Sequence, residues 1–169
     1  MKKISKSKNP RINGEYAKIW QSVGKCVFCD LKEDFIIYEE NDICLVQNKY
    51  PYSDGHLMAI PRAHISSPKE LSSKQWNTIR KFNYITKKLL KKVFDVKGMW
   101  TLIREGGEIA QMTVVDHLHV QFIPFSDPKL CTWKYSELKY TPEESIKMYK
   151  SEKKEIVSLL KKFKEKYDN

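Results

Sequence analysis

The stretch VVDHLHVQFIP, Val114 to Pro124, holds two of the four histidines two residues apart, with a glutamine two further on. In an extended chain successive side chains alternate between faces, so His117, His119 and Gln121 share one face. Leu118, Val120 and Phe122 take the other, the pattern of a half-buried strand. Pro124 has no N–H to give a ladder and ends it. The plain alternative is a strand whose solvent face is merely polar. Clustered histidines mark functional sites often enough that the segment is read as one.

The surrounding chain reads as α+β. Gly14 to Gly24 carries Tyr16, Ile19, Trp20 and Val23 at helical spacing. Two β-like runs, FIIYEE and DICLVQN, are joined at Asn41-Asp42, and HLMAIPR reads as a third strand. Ser72 and Gln75 form a capping box that opens a long helix to about Asp95, with Trp76, Ile79, Phe82, Ile85, Leu89, Leu90, Val93 and Phe94 as its inward stripe. GMWTLIRE is a further strand, and Gly106 and Gly107 lead from it to the histidine segment. Thr141, Pro142 and Glu144 signal a last helix, about 142–167, with Ile146, Tyr149, Ile156, Leu159, Leu160 and Phe163 inward. The expected architecture is an antiparallel sheet with helices packed on it. A flexible basic arm, 1–13, precedes a single domain, 14–169.

The formal charge of +10 favours anionic partners such as nucleotides or RNA, although much of it falls on helix faces and in the arm, where solvated lysine is the simpler reading. No run is long enough for a membrane span, and the start lacks the apolar core of a signal peptide. Four cysteines without a secretion signal imply the cytosol, with thiols reduced or holding metal. Cys26 and Cys29 form a CxxC pair, which serves as a zinc half-site, a redox dithiol or plain buried thiols. Its place between a helix and a hairpin weakens the redox reading. His64 and His117 are candidates to complete a zinc set, which only a fold would bring together.

DHLHVQFIP, preceded by NKYPYSDGHLMAIPRAHISS and by CVFC, resembles the histidine triad (HIT) superfamily, whose signature is His-x-His-x-His/Gln, a short apolar run and Pro. The resemblance covers roughly residues 24–125 and implies a HIT-like sheet with one long helix on it and helices at both ends. It implies a nucleotide-binding enzyme in which His119 attacks the α-phosphorus and forms a covalent nucleotidyl-histidine, its second ring nitrogen held by a backbone carbonyl. Gln121 and His117 complete the triad. By the same resemblance Cys26, Cys29, His64 and His117 hold a structural zinc, and Val46, Asn48, His56, Met58 and Thr113 contact the nucleotide.

Gln121 departs from the third histidine of the hydrolases and resembles the uridylyltransferase and dinucleoside-polyphosphate phosphorylase branches. A carboxamide bonds phosphate but supplies no titratable proton. The implied activity is nucleotidyl transfer or phosphorolysis of dinucleoside polyphosphates or nucleotide conjugates; the alternatives are a HIT hydrolase, including one removing adenylate from nucleic-acid ends, and a non-enzymatic basic nucleic-acid-binding zinc module. Glu105 stands where the phosphate loop expects Asn, and Gln111 where it expects Gly; a carboxylate there needs Arg104 or a metal to offset it. The resemblance also implies a homodimer acting on a small-molecule nucleotide; nucleic acid is a possible partner but not favoured, because aromatics interleaved with lysines are not evident outside the helical core stripes.

Overall fold

The computed structural model describes residues 9, 11–12, 15–16, 26–106, 116–132 and 135–167. The chain divides into two compact units, Met1–Leu130 and Cys131–Asn169. The expected helix of residues 14–24 falls almost wholly outside the described residues, as does Thr113.

The first unit is built on five antiparallel strands. β1 (Ile36–Glu40) and β2 (Ile43–Gln47) form a hairpin whose two turn residues, Asn41 and Asp42, both have positive φ (53° and 60°). That is the type I′ geometry whose twist matches the flanking strands, and Asn and Asp tolerate it better than other side chains. β3 (Leu57–Pro61), β4 (Met99–Leu102) and β5 (Val120–Pro124) complete the sheet in the order β1-β2-β3-β5-β4. Helix α1 (Ser73–Phe94) starts at the expected capping box, with Gln75 N–H donating to Ser72 Oγ at 3.2 Å, and stops where Asp95 turns left-handed.

Both faces of the central strands are covered. Ile43, Leu45, Leu57, Ala59, Val120 and Phe122 pack with Ile79 and Phe82 of α1. Cys44, Val46, Met58 and Ile60 face the other way and meet Phe28, Leu31, Phe35 and Ile36 of the segment that leads into β1. Cys44 is therefore an apolar filler; burial first, then the Glu39 carboxylate, pushes its thiol up to about 12.

Three expectations are corrected. The paired part of the last strand begins at Val120, so His117 and His119 lie in the segment just before it. That segment is also buried on both faces rather than one, because the CxxC segment covers the polar side. On α1 the buried stripe is Thr78, Ile79, Phe82, Thr86 and Leu90, while Trp76, Ile85, Val93 and Phe94 are exposed. Asn41 Nδ2–H donates to Thr78 Oγ1 at 2.8 Å and Lys81 pairs with Glu40 at 2.6 Å, contacts that set the helix's rotation over the hairpin.

The second unit holds α2 (Pro142–Ser151) and α3 (Lys153–Tyr167) in place of one continuous helix. Glu152 N–H bonds the Tyr149 carbonyl three residues back, tightening the last turn and breaking the helix there. Ile146, Tyr149, Ile156, Leu159, Leu160 and Phe163 are exposed rather than inward, since neither short helix buries a residue. Among the described residues no helix is long and apolar enough to cross a membrane.

β4 and β5 leave no room for a side chain at their junction. A Cβ on Gly98 would collide with the carbonyl oxygen of Phe125, whose N–H donates to the Gly98 carbonyl at 3.0 Å. Gly98→Ala is expected to cost about 2 kcal/mol or more of unfolding free energy in urea titrations, since backbone must shift. An unchanged midpoint would contradict this packing.

Candidate functional site

Pro61 ends β3 and lacks an N–H, and the sheet ladder between β3 and β5 stops at Ala59–Val120. Beyond that point the strand partner is replaced piecemeal. Leu118 N–H donates to the Ile65 carbonyl at 2.6 Å, and the His117 ring reaches the Pro61 carbonyl through Nε2 at 2.9 Å. A carbonyl only accepts, so the proton sits on Nε2 and Nδ1 presents a bare lone pair.

That lone pair faces the thiols. Cys26 Sγ lies 3.3 Å and Cys29 Sγ 3.6 Å from His117 Nδ1, and Cys29 Sγ lies 3.1 Å from His64 Nδ1. All four ligand atoms fall within 4.8 Å of one another. Tetrahedral zinc bonds of about 2.3 Å to sulfur and 2.0–2.1 Å to nitrogen place ligand atoms roughly 3.6 Å apart. The four expected residues are thus brought together with the right donors and spacing, and the His117–Pro61 bond is the outer contact that orients a ligating imidazole. The Cys29 thiol is pushed up, first by its hydrogen bond with Cys26, then by burial and by the Cys26 charge. The CxxC pair and the two imidazoles together make a candidate metal site.

His119 is the neighbouring polar group on the same face. Its Nδ1–H donates to the His117 carbonyl at 2.9 Å, so Nε2 keeps its lone pair, and the Gln121 amide reaches that nitrogen at 3.3 Å. Burial lowers the ring's basicity most, with Arg104 and His117 adding to it against the opposing pull of the backbone bond. The result is a neutral imidazole whose Nδ1 is fixed and whose Nε2 carries no proton, the state in which an imidazole nitrogen can act as a nucleophile.

Strand register decides what lies beside it. Gln121 pairs with Met58, Met58 with Val46, and Val46 with Ile36, so one row of side chains crosses the sheet on the His119 face. Asn48 and His56 sit two residues beyond Val46 and before Met58, on that same face. Asn48 N–H donates to the His56 carbonyl at 3.0 Å, and Asn48 Oδ1 accepts from Tyr50 N–H at 2.8 Å. Of the expected nucleotide contacts, Val46, Asn48, His56 and Met58 are therefore gathered around His119, while Thr113 lies outside the described residues. The Glu105 carboxylate accepts a hydrogen bond from the Ser67 hydroxyl, in the loop after β3.

Phe28 was not singled out from the sequence. Its ring lies 4.9 Å from that of His119 and 5.9 Å from that of His117. The signal was an apolar residue inside the CxxC, which spacing alone treats as filler.

His56 is fully buried, and its Nδ1 accepts the Tyr52 N–H at 3.2 Å, a bond that a protonated ring forbids. Burial, then the charges of Arg11, Arg104 and His119, lower it to about 3 from 6.5. The unfolded chain takes up a proton below its ordinary value that the folded chain refuses, so stability is unaffected above it and falls as pH drops toward the folded value. Between pH 7 and 5 this group should cost about 2 kcal/mol, and His56→Gln should flatten that slope of unfolding free energy against pH. Equal slopes in the two proteins would refute the assignment.

A family model described as scavenger mRNA decapping enzyme C-term binding matches residues 25–136. An uncharacterized HIT-like protein of Saccharolobus solfataricus is 25% identical over 144 residues, covering 80% of this chain and 98% of its own. A histidine triad nucleotide-binding protein from Candida albicans superposes with a TM-score of 0.62 at 22% identity, over 80% of this chain and 99% of that one. A Zn-bound histidine triad family protein from Mycobacterium smegmatis gives 0.54 at 20% identity, over 67% and 84%. The family model takes in the sheet, α1 and the whole histidine segment, and on that ground the chain belongs to this family, within the histidine triad superfamily.

Proposed function

We propose that the chain is a nucleotide-processing enzyme that passes a nucleotidyl group through a covalent bond to His119. The observation that carries this reading is the His119 Nδ1–H bond to the His117 carbonyl, which leaves Nε2 bare and aimed beside Gln121. Nε2 attacks the α-phosphorus, the bond from phosphorus to the leaving group breaks, and the leaving group takes the bonding pair. The acceptor then attacks phosphorus from the opposite side and the N–P pair returns to Nε2. Throughout, Nδ1–H stays on the carbonyl, which offsets the positive charge that the ring acquires while phosphorylated. Val46, Met58 and Phe28 offer apolar surface for a base, and Asn48 a polar side chain for ribose hydroxyls.

The Gln121 amide, 3.3 Å from His119 Nε2, can turn its donor to a phosphoryl oxygen when substrate arrives, and it brings no titratable proton to manage water. That favours transfer to phosphate or a nucleotide acceptor, or phosphorolysis of dinucleoside polyphosphates, over hydrolysis. Cys26, Cys29, His64 and His117 hold a structural zinc in this reading: four protein ligands leave no position for substrate, and reduced thiols suit a cytoplasmic setting. Its contribution is to fix the backbone whose carbonyl holds His119. β4 is one of the two edge strands of the sheet among the described residues, which supports pairing with a second copy as a homodimer.

Incubation with labelled dinucleoside polyphosphates, with and without phosphate, should place label on His119 in wild type and none in His119→Ala. Turnover that requires phosphate is expected, and Gln121→His should raise the share of product formed by water about tenfold. Normal turnover by His119→Ala would sink the covalent reading. Metal analysis should find one zinc per chain, falling well below half in Cys26→Ser; full occupancy in that variant would remove the four-ligand assignment.

A further inference from the structure

Residues near the chain start meet the loop between β2 and β3. Arg11 Nε–H donates to the Tyr50 carbonyl at 2.7 Å, and its guanidinium lies 4.1 Å from the Tyr16 ring centre and 4.2 Å from that of Tyr52. Arg104, just after β4, donates through Nη1 to the Tyr52 hydroxyl at 3.1 Å and stands 5.7 Å over the same ring. Tyr52 is itself fixed, stacked on His56 at 5.3 Å and 17°. Two guanidiniums thus converge on one phenol ring at the edge of the nucleotide face.

Neither has a carboxylate partner among the described residues, although Arg62, Lys81 and Lys91 elsewhere do. Each gives one N–H to a neutral protein oxygen and keeps its remaining donors, in the planar fork that suits phosphate. Like charges gathered without a counterion repel, and the aromatic rings offset only part of that. Both cations act on the buried His56, which shares the His119 face and meets Asn48, so the pair lies at the edge of that face.

We propose that Arg11 and Arg104, set against Tyr52, form a subsite for a second phosphate group of the substrate, beyond the phosphorus attacked by His119. The substrate class is then a nucleotide carrying at least two phosphates. This rests on the nucleotidyl-transfer reading for its place in catalysis, but not for its anion binding. The second phosphate comes either from a polyphosphate leaving group or from a phosphate on the ribose, both of which present anionic phosphoryl oxygens to the two guanidiniums.

Calorimetry with inorganic tripolyphosphate should detect binding to wild type that weakens about tenfold or more in Arg11→Gln and in Arg104→Gln. Lys87→Gln, an exposed change on α1, should match wild type. The kinetic arm compares diadenosine tetraphosphate, adenosine 5′-phosphoramidate and the same phosphoramidate bearing a 3′-phosphate. In Arg11→Gln the kcat/KM ratio of a two-phosphate substrate to the plain phosphoramidate should fall about tenfold, and whichever substrate shows the fall names the source. No binding of tripolyphosphate, or equal binding in all four proteins, overturns the subsite. Arginine-dependent binding without label on His119 keeps the subsite and sinks the transfer reading; label on His119 with an unchanged ratio does the reverse.

Discussion

His117 is held from three directions, and the site follows from those holds. Its Nε2–H takes the Pro61 carbonyl, its Nδ1 meets two thiols, and its own carbonyl grips His119. The first bond substitutes for the strand pairing that Pro61 cannot extend, so a break in the ladder becomes the point where the Cys26–Cys29–His64–His117 cluster and the His119 ring meet. Moving any one contact would turn the backbone whose oxygen selects the tautomer of His119.

The burial of both sheet faces serves the same end. α1 covers one face with Ile79, Phe82 and Leu90, and the segment bearing the CxxC covers the other with Phe28 and Leu31. Imidazoles buried in this way stay neutral, which is the state in which one nitrogen donates and the other attacks. The polar groups involved are each satisfied by a neighbour: His117 by Pro61, His119 by His117, His56 by Tyr52.

Much of this was legible in the chain itself. The alternation from His117 to Phe122, the Asn41-Asp42 turn and the Ser72 capping box each encode local geometry through spacing, and the strands and α1 appear where those signals put them. Cys26, Cys29, His64 and His117 stand out in the chain as candidate ligands, but spacing does not join them, because Cys26 and His117 are 91 residues apart; the resemblance and then the fold bring them into one set. The inward face of α1 was misjudged because Thr78 and Thr86 occupy it, and polarity alone sent them to solvent. Arg11 was read as part of a solvated arm, since a cation's stacking partners, Tyr16 and Tyr52, are set by tertiary contact.

The chemistry of this face turns on one proton. Imidazole nitrogen shifts and long-range couplings in ¹⁵N-labelled protein at neutral pH report which ring nitrogen of residue 119 is protonated. The geometry requires hydrogen on Nδ1 and a bare Nε2. A ring carrying its hydrogen on Nε2 would have no lone pair to offer toward Gln121, and the chemistry assigned to this face would have no nucleophile.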